Sequence, residues 1–238
     1  MDAVIRVEGL SKQFGAIRAV DGLDLSIPAG QIYGLLGPNG SGKTTFIRLL
    51  LGLLRPTAGH VFVLGAEMPN KPVLSHIGYM TQATAVYDEL TARENVAFFG
   101  AMYSAREPVG RERVDEVLAL VDLLDRADAQ AHTLSGGMKQ RLSLGCAIVH
   151  QPRLLLLDEP TVGVDPQLRA SFWDYFRRLA AGGVTIVVSS HVMDEAERCD
   201  RLGFMRQGRL LAEGTAAELR DQAGAGTLEA AFLRFAGQ

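Results

Sequence analysis

Residues 37–45 read Gly37-Pro38-Asn39-Gly40-Ser41-Gly42-Lys43-Thr44-Thr45, and this stretch decides the fold. It follows the apolar, strand-like run 32–36 and precedes the helix-like run 46–54. A glycine-rich loop in that setting is typical of a P-loop, because glycines let backbone N–H groups turn inward around phosphates. The helix start adds its dipole, Lys43 is suited to bridge the outer phosphates, and the Thr44 hydroxyl can hold Mg2+. The sequence therefore predicts a phosphate-binding site between a strand and a helix.

A second decisive stretch lies further along the chain and reads Leu154-Leu155-Leu156-Leu157-Asp158-Glu159-Pro160. Its leucines predict a buried parallel strand, and strand ends in open α/β sheets face the ligand crevice. We expect Asp158 to join the Mg2+ shell and Glu159 to orient or deprotonate the water that attacks the γ-phosphate. Taken alone, the stretch could also be a solvated acidic turn. The presence of a P-loop in the same chain favours the catalytic interpretation.

Between these two stretches the chain reads Leu134-Ser135-Gly136-Gly137-Met138-Lys139-Gln140-Arg141. A serine and two glycines at the start of a helix can form an anion-binding nest, and the helix is predicted to continue through residue 148. Taken alone, the same residues predict only a capped helix and a turn. Their place between the P-loop and the carboxylates favours a second phosphate-binding element.

The order of elements predicts an α/β fold with a parallel sheet, a β-rich opening and an inserted helical segment. Antiparallel strands are expected to dominate the opening, where the β-rich runs are 4–7, 23–27, 32–36 and 61–64. Helical signals follow, namely a capping box at Thr91 and Glu94 and a helix from 111 to about 124. The later elements are a strand at 154–157, a helix at 166–181, a strand at 185–189, then a helix and a strand.

Composition and charge exclude several classes of protein. The 238 residues include 24 Lys and Arg and 27 Asp and Glu, so a net charge of −3 argues against a dedicated nucleic-acid binder. Cys146 and Cys199 fit neither a disulfide framework nor a metal site, and we interpret both as buried structural thiols of a reducing cytosol. No apolar run approaches the ~18 residues that span a bilayer, and residues 1–10 predict a first strand, not a signal peptide.

The three stretches above, together with Gln82, Gly163-Val164-Asp165 and His191, resemble the ATP-binding subunit of ABC transporters over about residues 3–215. The resemblance implies an ATPase that binds ATP and Mg2+ in a P-loop NTPase core. It implies one cassette over residues 1–238: a nucleotide-binding core with a β-subdomain at about 1–85 and 150–215, a helical signature subdomain at about 86–149, and a tail helix at about 216–238.

The resemblance also implies roles for single residues. Phe14 matches an aromatic that stacks on adenine, and Gln82 matches a glutamine that contacts Mg2+ and the attacking water. His191 matches a switch histidine on the γ-phosphate, and Asp165 matches an acidic residue that links the two sites of a dimer. Without the family, Phe14 could be a core aromatic, Gln82 a solvated loop residue and His191 structural. Met138 replaces the usual glutamine of the signature, while Ser135, Gly136 and Gly137 keep their phosphate-contacting groups.

The resemblance further implies partners and a location. In this family the signature of one copy completes the P-loop site of another, so we expect a dimer with a second copy or a related ATPase subunit. We also expect separate membrane permease subunits and a place on the cytoplasmic face of the membrane. The groove around Gln82 and residues 83–95 is the expected docking region. Four side chains there could belong either to the core or to that surface: Tyr87, Leu90, Phe98 and Phe99.

The end of the chain indicates the direction of transport. Residues 214–219 and 227–235 resemble the ending of subunits that serve type-2 exporter permeases, which export drugs, antibiotics or polysaccharides. From the residues alone, Leu228, Ala231, Phe232 and Phe235 predict a short amphipathic helix, which could simply pack on the chain's own core. The alternative function is a soluble ABC-type ATPase that acts on DNA, ribosomes or an iron–sulfur scaffold. DNA-repair members carry a long coiled coil that is absent here, translation members carry two cassettes, and the exporter-like ending argues against the scaffold ATPases.

Overall fold

The computed structural model describes residues 3–103 and 109–237. Met1 and Asp2, at the start of the predicted first strand, lie outside the described residues. The chain divides into two compact units, the first drawn from residues 1–74 and 176–238 and the second from residues 75–175. Within the described part, strands and helices alternate broadly as the sequence predicts.

The secondary structure confirms a mixed α/β fold. The strands are β1 (Ala3–Phe14), β2 (Ile17–Pro28), β3 (Ile32–Leu36), β4 (Ala58–Val63), β5 (Ala66–Glu67), β6 (Ile77–Met80), β7 (Leu154–Asp158), β8 (Thr185–Ser190), β9 (Arg201–Arg206) and β10 (Arg209–Gly214). The helices are α1 (Lys43–Leu50), α2 (Lys71–Leu74), α3 (Ala92–Tyr103), α4 (Arg111–Leu120), α5 (Gly136–Ile148), α6 (Pro166–Ala181), α7 (Met193–Ala196), α8 (Ala216–Ala223) and α9 (Leu228–Phe235).

The opening of the first unit is an antiparallel sheet, as predicted. Its strand order is β2-β1-β4-β5. The predicted strand at 4–7 is longer than expected, because β1 stays paired with β2 as far as Phe14, which faces Ile17 across the hairpin. Ile5 and Val7 point to the buried face while Arg6 and Glu8 are exposed, which is the alternation expected of a sheet with one solvated side.

The first unit also contains a second group of paired strands, most of them parallel. β3 pairs in parallel with β8 on one side and with β9 on the other, and β10 returns antiparallel to β9. Every residue of β3 and β8 is buried. Strands covered on both faces read as continuous apolar runs, and this burial explains the apolar sequences of both strands.

Two helices end earlier than the sequence indicates. α1 ends at Leu50, not near 54, because Gly52 adopts a left-handed φ of 65° and Leu53 donates its N–H to the carbonyl of Arg48 at 3.0 Å. α4 ends at Leu120, not at 124. Asp122 adopts a left-handed φ of 54°, and a separate 3-10 turn, Leu124–Arg126, follows it. In both cases a left-handed residue terminates the helix.

The second unit combines a parallel strand pair with helices. β6 pairs with β7 in parallel, with Met80 facing Leu157. β6 was not predicted, because four residues are too few for a clear alternation. α3 begins with the predicted capping box: the Thr91 N–H donates to a Glu94 carboxylate oxygen at 2.8 Å, and the Glu94 N–H donates to the Thr91 hydroxyl at 3.1 Å.

The tail packs on the core of its own unit. Leu228, Ala231 and Phe232 of α9 are buried beside Phe204, whose ring lies 5.4 Å from that of Phe232 in an edge-to-face arrangement. The amphipathic helix is therefore confirmed, with the chain's own core as its partner. Among the helices of the described residues, none combines the length and the apolar character that a bilayer crossing demands.

The two cysteines differ in burial. Cys146 is buried as predicted, and desolvation raises the pKa of its thiol well above the ordinary value. Cys199 is half-buried, so the prediction of full burial is wrong for this residue. Desolvation and the nearby carboxylates of Asp200 and Glu195 raise the pKa of the Cys199 thiol to about 12. Both side chains are therefore neutral thiols at physiological pH.

Candidate active site

The P-loop connects the end of β3 to the start of α1. Gly37 donates its N–H to the carbonyl of Ser190 at 3.3 Å. A Cβ on Gly37 would lie 2.0 Å from the carbonyl oxygen of Met205, and one on Gly42 would lie 2.2 Å from that of Ala19. Gly42 also has a φ of 109°, which side chains rarely tolerate. These two glycines are therefore required by the close approach of neighbouring backbone.

Lys43 lies at the centre of this loop. Its side chain is buried, and its Nζ donates to the carbonyl oxygens of Gly37 at 2.7 Å and Pro38 at 3.2 Å. The neighbouring Ser41 hydroxyl is also buried and finds no hydrogen-bond partner within the described part of the chain. Buried polar atoms normally have partners, so a ligand oxygen in this loop would satisfy a hydroxyl that the protein leaves unused.

The fold brings His191 to the same edge of the first unit. In the parallel pairing of β3 with β8, Leu36 faces Ser190, so the P-loop and His191 both follow directly on neighbouring strand ends. Ser190 fixes the turn here, because its hydroxyl donates to the carboxylate of Glu195 at 3.0 Å and accepts from the N–H of Val192 at 3.0 Å. The His191 side chain is exposed.

Phe14 lies at the tip of the β1–β2 hairpin. Its side chain is 46% exposed, and the ammonium of Lys12 lies 5.1 Å from the ring centroid. The alternative that Phe14 is a core aromatic is therefore wrong. An exposed ring on a rigid hairpin is a surface on which a planar base can stack.

The predicted carboxylates end β7 in the second unit. Asp158 is 1% exposed and Glu159 is 7% exposed. Glu159 adopts a left-handed φ of 55° although proline follows it, and such a conformation costs on the order of 1–3 kcal/mol. Strain of this kind persists only where the surroundings hold it, and it concentrates at functional sites.

Gln82 is brought to Glu159 by strand pairing. Gln82 follows β6 and Glu159 follows β7, and these parallel neighbours end at the same edge. The Gln82 Nε2 donates to a carboxylate oxygen of Glu159 at 3.5 Å. The second unit therefore joins Asp158, Glu159 and Gln82 in one cluster, although Gln82 stands far from the other two in sequence.

The signature residues begin α5 in the same unit. The Ser135 hydroxyl accepts from the N–H of Met138 at 3.3 Å and so acts as the predicted N-cap. Ser135 and Gly136 are exposed, and a Cβ on Gly137 would lie 3.1 Å from the carbonyl oxygen of Gly163. Asp165 caps α6 by accepting from the N–H groups of Gln167 and Leu168 at 3.1 and 3.0 Å.

The sequence motifs assign no individual role to two buried residues of the second unit, Gln140 and Asn95. Gln140 is buried, and its Nε2 donates to the carbonyl oxygen of Glu159 at 3.5 Å. Asn95 is fully buried and bonds to the backbone of the segment around Tyr87. Nothing local distinguishes these side chains from solvated ones, because their partners lie in other turns of the chain.

Comparisons with known proteins agree with this geometry. A family model described as ABC transporter matches residues 20–162. The daunorubicin resistance ATP-binding protein DrrA3 of Streptomyces coeruleorubidus is 40% identical over 100% of this chain, which covers 76% of that relative. The probable multidrug ABC transporter ATP-binding protein YbhF of Escherichia coli is 39% identical over 98% of this chain, but the chain spans only 42% of YbhF.

Solved structures support the same family. An ATP-binding subunit of an ABC transporter matches 98% of this chain and 99% of its own, with a TM-score of 0.90 and 27% identity. A dimeric post-hydrolysis state of an ATP-binding cassette bound to ADP and Pi matches 89% of this chain and 98% of its own, with a TM-score of 0.81 and 26% identity. The motifs, the fold and these matches together establish that the chain belongs to the ABC transporter family of ATP-binding proteins.

Proposed function

We propose that this chain hydrolyses ATP as the ATP-binding subunit of an ABC exporter. The observation that carries the proposal is the Glu159 cluster: a buried, backbone-strained carboxylate directly after Asp158, with the Gln82 amide on its carboxylate oxygen at 3.5 Å. A general base must be held within reach of the water that it activates. Two hydrogen bonds support this role for Glu159, one accepted by its carboxylate and one by its main-chain carbonyl.

In the proposed site the first unit supplies nucleotide binding. Lys43 exchanges the carbonyl oxygens of Gly37 and Pro38 for phosphate oxygens, and the backbone N–H groups of the loop donate to the same phosphates. The exposed ring of Phe14 stacks on adenine. His191, which follows the strand beside the P-loop strand, contacts the γ-phosphate. The remaining P-loop residues of this proposed set are Asn39, Gly40, Ser41, Gly42, Thr44 and Thr45.

The chemistry of the donor set fits Mg2+. Thr44, Gln82 and Asp158 offer hydroxyl, amide and carboxylate oxygens, which are the ligands that this hard cation prefers. The described residues contain no cluster of three or more His, Cys, Asp and Glu. Mg2+ sites of nucleotide enzymes usually take one or two carboxylates and complete the shell with other oxygens, phosphates and water, so such a cluster is not required. When bound, Mg2+ neutralises charge on the phosphates.

Glu159 then accepts a proton from the attacking water, while Gln82 orients that water and the Glu159 carboxylate relative to each other. Asp158, at the buried end of β7, is the proposed metal ligand. His191 donates a hydrogen bond to the γ-phosphate and stabilises its developing charge. Each of these steps belongs to a residue of this chain.

We propose further that the working form is a dimer. Ser135 and Gly136 are exposed at the start of α5, where a phosphate could reach the serine hydroxyl and the helix N–H groups. We assign these groups and those of Gly137 to the nucleotide held by a second copy, with Asp165 linking the two sites. The dimeric cassette among the similar structures supports this arrangement.

The second unit also presents a surface suited to a membrane permease. The aromatic patch consists of Tyr87, Phe98, Phe99 and Met102; Tyr87 is 50% exposed and Met102 is 62% exposed. The ring of Tyr87 lies 4.9 Å from that of Phe98 in an edge-to-face contact. Contiguous exposed apolar side chains mark interaction sites. We therefore assign the patch to permease docking at the cytoplasmic face of the membrane, and the names of the relatives favour export of drug-like compounds.

The first experiment measures the oligomeric state of the Glu159→Gln variant by size exclusion with light scattering, with and without Mg-ATP. We expect a monomer that becomes a dimer only with ATP, and a turnover at least ~100-fold below that of the wild type. Lys43→Ala serves as the matched control, because it removes the phosphate-binding cation and should abolish the ATP effect. Unchanged turnover in Glu159→Gln would remove Glu159 from the role of general base.

A second experiment tests the permease surface. Tyr87→Ser with Phe98→Ser should lower detergent-stable co-purification with a co-expressed permease, and Leu124→Ser is the control because it removes a comparably exposed apolar side chain of the same unit. If the wild type, the double variant and Leu124→Ser all recovered the same amount of permease, docking at the patch would be refuted. Salt-dependent binding to DNA or RNA would favour the non-transport alternative.

A further inference from the structure

We propose that Gln140 is a positioning residue that holds Glu159 in its hydrolytic geometry; this inference rests on the proposed ATPase function. Gln140 belongs to α5, the helix capped by Ser135, and its side chain is 7% exposed. Its Nε2 donates to the main-chain carbonyl oxygen of Glu159 at 3.5 Å. The signature helix is therefore bonded to the backbone of the proposed base in the same copy of the chain.

The backbone of Glu159 needs such a partner because its conformation is unfavourable. Its φ of 55° lies in the left-handed region, which residues with a side chain rarely occupy. Pro160 follows, and a residue before proline prefers extended backbone. A return to extended backbone would rotate the carbonyl away from Gln140 and redirect the bond from Cα to Cβ. The Gln140 amide, which donates to the carbonyl in its present position, therefore favours the present orientation of the Glu159 carboxylate.

Two further contacts show what Gln140 adds. The carbonyl of Glu159 also accepts from the N–H of Val162 at 3.4 Å, which closes the turn after β7. At the other end of the residue, the Gln82 amide donates to the carboxylate at 3.5 Å. Gln82 therefore acts on the reacting group, while Gln140 and the turn act on the backbone that aims it. The two glutamines should have separable effects.

The test compares variants of one helix position. Gln140→Met keeps the length of the side chain and removes its N–H donor, and Gln140→Glu keeps the shape but presents an oxygen to the carbonyl. Ser143→Ala is the matched control, because Ser143 is another buried polar residue of α5 and makes none of the described hydrogen bonds to Glu159. For each variant kcat and KM for ATP are measured, and thermal unfolding establishes that the protein is folded.

We expect kcat to fall about tenfold in Gln140→Met and at least as far in Gln140→Glu, with KM for ATP within about twofold of wild type. Ser143→Ala should keep the wild-type kcat. In the Glu159→Gln background, Gln140→Met should leave ATP-dependent dimerisation unchanged and should not lower the residual hydrolysis further, because the group that Gln140 positions is already lost.

Three results would overturn the inference. The first is a wild-type kcat in folded Gln140→Met, or in Gln140→Glu if the methionine variant does not fold. The second is loss of the ATP-dependent dimer with kcat retained, which would assign Gln140 to nucleotide contact in the signature. The third is a wild-type chain without ATPase activity, which would overturn the proposed function and this inference together.

Discussion

Asn95 should hold the segment 87–91, which carries Tyr87 of the proposed docking patch, and Asn95→Ala should release it. The side chain is fully buried in α3. Its Oδ1 accepts from the N–H of Tyr87 at 2.8 Å, and its Nδ2 donates to the carbonyl oxygens of Tyr87 and Thr91, each at 3.0 Å. The Tyr87 N–H thus has its partner in this amide, while the carbonyls of Tyr87 and Thr91 also accept from the backbone N–H groups of Leu90 and Asn95 at 3.2 and 2.9 Å.

The magnitude follows from these contacts. A net contribution of ~0.5–1.5 kcal/mol per hydrogen bond, for three bonds, gives a loss of about 1.5–4.5 kcal/mol in the free energy of unfolding. The upper part of that range applies where the freed backbone groups stay buried. The lower part applies where water reaches the Tyr87 end, whose side chain is half exposed.

The assay combines urea unfolding with hydrogen exchange at the Tyr87 amide. Asn95→Ala should lower the unfolding free energy by the stated amount and speed exchange at Tyr87 by at least about tenfold. Gln130→Ala is the control: its amide reaches the neighbouring carbonyl of Glu89 at 3.4 Å from the exposed side, so its loss should cost below ~0.5 kcal/mol.

Equal stability of the two variants, with unchanged exchange at Tyr87, would refute the reasoning. If the segment is released as expected, ATP hydrolysis by the isolated chain should persist, because Asn95 makes none of the described contacts with the Glu159 cluster. Binding to the permease should weaken, because Tyr87 of the aromatic patch then has no fixed position.

Three further predictions concern the P-loop, a half-buried imidazole and the tail. Gly42→Ala should weaken ATP binding at least ~10-fold by calorimetry, whereas Gly40→Ala, which shares a left-handed φ of 78° but brings its Cβ within 4 Å of no other atom, should weaken it less. Desolvation lowers the pKa of His150 to about 4 from about 6.5 in the unfolded chain. The unfolded state therefore binds more protons between these two pH values, and the free energy of unfolding should fall by about 2 kcal/mol as pH drops from ~6.5 to 4. If the His150→Phe variant lost stability with falling pH as steeply as the wild type, this prediction would be contradicted. Phe232→Ala should cost about 3 kcal/mol in chemical unfolding, since it empties the contact with Phe204; a loss below ~1 kcal/mol would mean that α9 is loosely attached.

Much of the fold could be predicted because its signals are local. The P-loop, the leucine strand before Asp158 and the helix Pro166–Ala181 each carry their periodicity, glycines or caps within a few neighbouring residues. Helix ends were less accurate. α4 stops at Leu120 because Asp122 takes a left-handed conformation. Glycine adopts this conformation readily and so predicts a helix end, whereas an aspartate does not.

The candidate site was predictable as a set of residues, from the motifs and the family that they resemble, but not as an arrangement. The contact of Gln82 with Glu159 depends on the parallel pairing of β6 with β7, and β6 is too short to be recognised along the chain. The bond from Gln140 to the Glu159 carbonyl and the exposure of Phe14 likewise depend on distant elements.

The sequence by itself thus determined the family, the P-loop core and the identity of the residues proposed to carry the chemistry. Tertiary structure alone decided which of them touch, that Glu159 is held in a strained backbone conformation, and that the tail helix packs on its own core. The physical reason is the distance along the chain over which each kind of interaction acts. Backbone propensity and periodicity act between near neighbours, whereas side-chain contacts between remote residues exist only after strands pair and helices pack.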